Sequence, residues 1–141
     1  MKHIIAALIF AFCFAAPVCA QAEPDVIEQT LKEITAENLP AIRKAAEQGD
    51  AEAQFKLGIA YLDGGVIEKD GKQGFDWMTK AANQNHAAAQ FFLGIFYAYG
   101  GDEAQSIAWM RKSAAQGFLP AQQVISEYDK EQATDKNKPQ E

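Results

Sequence analysis

The sequence predicts an all-α fold: one right-handed α-α superhelix, a short solenoid of about seven helices without strands. Three observations predict it. The segment Ala51-Glu-Ala-Gln-Phe-Lys-Leu-Gly58-Ile-Ala-Tyr61 returns 36 residues later as Ala87-Ala-Ala-Gln-Phe-Phe-Leu-Gly94-Ile-Phe-Tyr97. A second segment, Phe75-Asp-Trp77-Met-Thr-Lys80-Ala-Ala82, returns after 32 residues as Ile107-Ala-Trp109-Met-Arg-Lys112-Ser-Ala114. Within each copy the apolar residues recur at helical spacing, and the four-residue difference in displacement falls at 66–69, in the turn between two helices, where length is free to vary.

The chain opens on a segment to be set aside before any fold reasoning. Lys2 supplies a positive start, Ile4 to Ala16 carries no charge, and Val18-Cys19-Ala20 places small residues at a cleavage site. Residues 1–20 are therefore expected to be a secretory signal peptide, with cleavage after Ala20 or, at a second small-x-small site, after Ala22. The uncharged run is shorter than the ~20 residues a membrane-spanning helix needs, so no stable membrane insertion is expected once the leader is removed. Branched Val18 and Pro17 before Cys19 fit a lipid-anchoring signal poorly. Both cysteines, Cys13 and Cys19, leave with the leader, so the exported chain has neither a disulfide nor a thiol ligand or nucleophile. Its expected location is the periplasm or the extracellular medium.

The remaining 121 residues suit one domain, 21–132. Twelve basic residues face nineteen acidic ones there, a net charge of −7. That balance argues against nucleic acid as a partner, since phosphate backbones are held by clustered Lys and Arg. It suits a basic protein or peptide.

In the domain, Pro24-Asp25 followed by Val26, Ile27, Leu31 and Ile34 reads as an amphipathic helix, expected to cover the open end of the stack. Ile42 to Gly49 resembles the end of a second helix and so forms a partial repeat. Full repeats follow at about 51–86 and 87–118. In the first helix of the unit, Gln54, Leu57, Gly58 and Tyr61 share one face, while Phe55, Ile59 and Leu62 share the next. A helix apolar on two sides is sandwiched between others. Gly58 and Gly94 inside such helices imply close backbone approach. Asp70 and Asp102 are expected to cap the second helices, and Gly64-Gly65 and Gly100-Gly101 to end the first ones with positive φ. Pro120-Ala-Gln restarts the pattern, with Ile125 in place of Leu57 and Leu93, as a polar capping helix would. Residues 133–141 are expected to be a disordered tail.

These residues resemble the Sel1-like repeat family, a relative of the tetratricopeptide repeats. The family pattern AxAQxxLGxxYxxGxG…Dxx(K/Q)xxxWxxKAAxxG is carried by 51–65 with 70–82, and again by 87–101 with 102–117. Asn85 stands where the unit usually ends in Gly. The resemblance implies a curved stack of helix pairs that serves as an adaptor or binding module. Some relatives carry one disulfide per repeat and a β-lactamase label, neither of which transfers to a domain without cysteine.

No catalytic constellation is found. Ser106, Ser113 and Ser126 lie in no Ser-x-x-Lys or Gly-x-Ser-x-Gly motif. His86 is the domain's one histidine and reads as a solvent-facing turn residue, and Asp63, Glu68 and Asp70 lack the spacing of a calcium loop. No enzyme activity, metal or cofactor is expected. The expected partner-binding strip is the outward face of the first helices: Glu52, Phe55, Ile59, Leu62, Asp63, Phe91, Ile95 and Tyr99, with Gln123 and Glu127 beyond. An apolar strip with an acidic rim suits an extended or helical peptide with basic residues. The alternative for Phe55 and Phe91 is that they pack against neighbouring helices; Trp77 and Trp109 are read as structural. With two full repeats the groove is short, and a homodimer would lengthen it. Two other readings are an envelope antagonist that sequesters a toxic enzyme and a hydrolase like the β-lactamase-labelled relatives.

Overall fold

The computed structural model describes residues 19–136, with side-chain environments from 26 to 134. Among them run seven helices and no strand: α1 (Cys19–Glu33), α2 (Leu39–Glu47), α3 (Ala51–Asp63), α4 (Gly71–Asn83), α5 (Ala87–Tyr99), α6 (Glu103–Ala115) and α7 (Leu119–Lys136). From α2 to α7 each helix packs on its neighbours in sequence, the arrangement expected of helices joined by short turns. The expected leader lies outside the described residues apart from Cys19 and Ala20, which open α1, and so do residues 137–141 of the expected tail.

Each boundary has a local cause. Asp50, Asp70 and Asp102 accept hydrogen bonds from the backbone N–H groups of Ala53, Gln73 and Gln105 at 2.7, 3.0 and 3.0 Å, which fixes the starts of α3, α4 and α6. One glycine of each pair takes the left-handed conformation that ends a helix, Gly64 at φ 82° and Gly101 at φ 78°. Gly65 and Gly100 do not, contrary to the expectation for both pairs. Asn85 adopts a left-handed φ of 64°, as Gly49 (98°) and Gly117 (85°) take positive φ at the ends of their own units, so it performs the family glycine's role.

The interior is three apolar clusters strung along the stack. Ala46, Ala53, Leu57 and Tyr61 form the first; Met78, Ala81, Ala82, Ala88, Ala89 and Leu93 lie in the second; Phe91, Met110, Ala121 and Ile125 form the third. Trp77 and Trp109 are half-buried beside the first and second, and the Lys80 and Lys112 ammonium groups sit 3.7 and 3.9 Å above their rings. The Trp-x-x-Lys spacing places the two side chains on one helical face.

The Ala-Gln that opens each repeat has a specific function. Gln54 is buried; its amide donates to the Ala46 carbonyl at 3.0 Å and its oxygen accepts from Gln84 at 2.7 Å. Gln90 repeats this, donating to Ala82 at 3.1 Å and accepting from Gln116 at 2.6 Å, and Gln122 donates to Ala114 at 3.2 Å. Each glutamine thus adds a side-chain donor to a carbonyl at the end of the preceding helix that already accepts a turn N–H, tying the two helices together, which a leucine could not do.

Two expectations are corrected. The tail assigned to 133–141 begins as helix, because α7 continues from Ala121 to Lys136 through residues that include neither Gly nor Pro. More consequentially, α1 does not cover the end of the stack. It packs on α3 and α7, with Val26, Ile27 and Leu31 against the cluster that contains Phe55, Ile59 and Phe92. The outer side of α2 presents exposed Arg43, Lys44 and Glu47, whereas the first helices present Ile59 and Ile95, so the apolar stripe of α1 buries more apolar surface on the latter.

Candidate functional site

The side formed by the first helices α3 and α5, read as the concave one, carries an apolar strip that reaches solvent. The structure divides the eight expected strip residues into three groups. Phe55 and Phe91 are sealed between helices at 2% and 1% exposure. The Phe55 ring stacks on His86 with centroids 4.7 Å apart and lies 5.9 Å from Phe92. Phe91 lies 5.4 Å from the Phe118 ring, against Met110, Ala121 and Ile125. Packing against neighbouring helices, the alternative weighed for these two rings, is what the structure contains. At that exposure neither ring offers a surface to a partner in this structure. Ile59 is also buried, in the cluster beneath α1.

Glu52 forms the second group by itself. Its carboxylate is exposed but already engaged, at 2.9 Å from His86 Nε2 and 3.5 Å from Lys56 Nζ. Lys56 also pairs with Glu33 of α1 at 2.7 Å, and that hydrogen bond, with the nearby Glu52 charge, holds the Lys56 ammonium above its usual pKa. The acidic rim expected at this end is therefore compensated from within the chain.

The third group remains open. Leu62, Asp63, Ile95 and Tyr99, together with Phe96 and Ile27, surround a notch of about 280 Å³. Tyr99 is 71% exposed, an unusual position for a large ring. Phe96 was absent from the expected strip because it sits one residue off the Ile95 position. Its spacing of four from Phe92 carried the signal. Its ring stands edge-on to Phe75, 5.5 Å away at 89°.

His86 is not the solvent-facing residue that was expected. Its side chain is 17% exposed, and Nδ1 accepts the Ala89 backbone N–H at 3.2 Å, capping α5. With Nδ1 accepting, Nε2 carries the proton and donates to Glu52, so the neutral ring completes both bonds. The signal was available: His86 lies 36 residues after Asp50, which caps α3.

A second depression, of about 500 Å³, lies at the α3–α4 turn between Arg43, Tyr61, Ile67 and Glu68. Asp70 at its edge is committed to the cap, and the Gln73 backbone N–H lowers its pKa. Ser106 and Ser113 are fully buried, the latter donating to the Ala87 carbonyl at 2.7 Å. Among the described residues no three His, Cys, Asp or Glu side chains gather in a way that could hold a metal ion, and no helix is long and apolar enough to cross a membrane.

The family model of the Sel1 repeat matches residues 42–50, 51–86 and 87–118, together more than half of the chain and with the divisions of the internal repeats. The chain belongs to the Sel1 repeat family. A Sel1 repeat protein from Oxalobacter formigenes, known from its crystal structure, superposes with a TM-score of 0.62 at 34% identity, over 64% of this chain and 71% of that one. No curated protein matches the chain. Sel1 repeats are generally protein–protein interaction modules, and the Sel1 units here bring Leu62, Asp63, Ile95, Phe96 and Tyr99 to one accessible face.

Proposed function

We propose that this Sel1 repeat protein is an exported, non-catalytic adaptor that holds a partner protein or peptide on its concave face. The observation that carries the reading is the open notch at Tyr99: an exposed aromatic ring beside half-buried Leu62, Ile95 and Phe96. Exposed apolar surface of this kind has a hydration cost that a partner removes. Export rests on the leader expected at 1–20, which gives a periplasmic or secreted location. A net charge of −7 after its removal favours a basic partner through long-range steering, with Asp63 the acidic group at the notch. The groove spans two units, so a homodimer would double its length.

Site-specific photo-crosslinking tests the reading. A crosslinker replacing Tyr99 is expected to capture one protein in the native envelope, and Ile95→Glu to reduce the capture at least about 30-fold, the loss that about 2 kcal/mol at a binding hot spot produces. A crosslinker replacing Arg43, in the other depression, should not capture that protein. Equal capture from both positions, or capture indifferent to Ile95→Glu, would contradict it.

A further inference from the structure

We propose that the concave groove recognises an amphipathic helix, and that α1 is its resident occupant, which the partner's helix must displace. The inference rests on the reading of the concave face as the binding surface and adds what kind of ligand it takes.

The first observation is that α1 is out of order. Every other described helix packs on its sequence neighbours, whereas α1 crosses to α3 and α7. Its seat shows what the groove accepts. Val26, Ile27, Thr30, Leu31 and Ile34 form one stripe at helical spacing, with Thr30 and Ile34 buried, while Glu28 and Lys32 pair with each other at 2.7 Å on the exposed face. Glu33 anchors the end of the helix to Lys56. This is helix-in-groove recognition carried out within one chain.

The second observation is that α1 underfills its seat. The notch of about 280 Å³ stays open beside Ile27, with Asp63 at its rim. A helix that repeats the stripe of α1, adds a bulky apolar side chain for the notch and a basic one facing Asp63, and keeps an acid opposite Lys56 would make every contact α1 makes and two more. That charge pattern selects a mixed-charge amphipathic helix over a uniformly basic peptide.

The third observation concerns release. α1 joins α2 through a turn at 34–38, held by bonds that stay within the turn: Thr35 N–H to Asn38 Oδ1 at 2.9 Å, Asn38 N–H to Thr35 Oγ1 at 3.3 Å, and Asn38 Nδ2 to the Glu33 carbonyl at 2.7 Å. None reaches α3 to α7, so the departure of α1 breaks the Glu33–Lys56 pair while the hydrogen bonds within the stack stay in place. The tether holds α1 near the groove at an effective concentration on the order of millimolar, which a competitor must overcome.

The test uses a fluorescent peptide of residues 23–37 of this chain, added to the otherwise intact protein. Ile27→Asp/Leu31→Asp frees the groove and is expected to bind the peptide at least about tenfold more tightly than the unaltered protein, because the tethered competitor is gone. Adding Ile95→Glu should abolish that binding. Equal affinity for the two proteins overturns the occupant role while leaving the groove as a binding surface. Binding that survives Ile95→Glu overturns the groove itself, and with it the proposed function. Should the double variant lose its helical circular dichroism, hydrogen exchange on the unaltered protein decides: excess peptide must accelerate exchange in α1 while α3 to α6 stay protected. Unchanged exchange in α1 overturns the proposal, as does a wild-type dimer whose groove is filled by the α1 of the other copy.

Discussion

Phe91→Ala is expected to lower the unfolding free energy by about 3–5 kcal/mol, the cost of emptying a buried aromatic site. Tyr99→Ala should stay within about 0.5 kcal/mol of wild type, as exposed substitutions do. Both residues stood in the expected strip, with core packing weighed as the alternative for Phe91, and the structure separates them. Phe91 at 1% exposure fills the joint between α5, α6 and α7, touching Phe118 and packing on Met110, Ala121 and Ile125. Its loss leaves a cavity that these side chains cannot close without moving α7. Tyr99 at 71% exposure supports nothing inside the fold. Urea denaturation followed by circular dichroism measures both. Similar losses for both variants would mean that α5 is turned so that Tyr99 also faces the interior.

Gly94→Val is expected to cost about 1–3 kcal/mol, the range of overpacking. Replacing a mid-helix glycine ordinarily gains up to about 1 kcal/mol in helix propensity, so the sign itself is informative. A Cβ at position 94 would lie 2.7 Å from Met110 Cγ and 3.1 Å from the Ser106 carbonyl. Met110 is fully buried and has nowhere to retreat. At Gly58 the nearest atoms are the Gly74 carbonyl oxygen at 3.2 Å and the terminal methyl of Met78 at 3.3 Å, both farther than Met110 Cγ is from position 94, so Gly58→Ala should cost less than Gly94→Ala. Gly71, with nothing within 4 Å of its Cβ position, serves as the neutral control. A stabilising Gly94→Val would show that α5 and α6 do not approach this closely.

Much of the fold was legible because repetition fixes phase. The 36-residue return aligned the helices, and Asp70 and Asp102 marked the starts of the second ones as well as any bond could. For two of the strip's aromatics, Phe55 and Phe91, the sequence left packing and recognition both open for a physical reason: an apolar face at helical spacing announces that something covers it, not what. For Phe55 the cover is α5, for Phe91 it is α7, and for Ile59 the cluster beneath α1. The seat of α1 was illegible for the same reason, since its stripe fits any apolar groove and the nearest one in sequence is not the most apolar in space. His86 was misjudged because histidine is an uncommon cap and its bond to Glu52 spans 34 residues. The glutamine clamps joining Gln54 to Gln84 and Gln90 to Gln116 were equally out of reach, because a buried amide network is defined by geometry rather than by pattern.

In this structure α1 lies in the groove of its own chain. Methyl-labelled NMR on the intact protein tests this most directly, through cross-peaks linking the Ile27 and Leu31 methyls to those of Ile59 and Ile95. With α1 seated there, these cross-peaks are expected at protein concentrations where the chain is monomeric, alongside those within the α3–α5 interior. Interior cross-peaks without any from Ile27 or Leu31 would contradict it, and would leave the concave face an open surface rather than a filled seat.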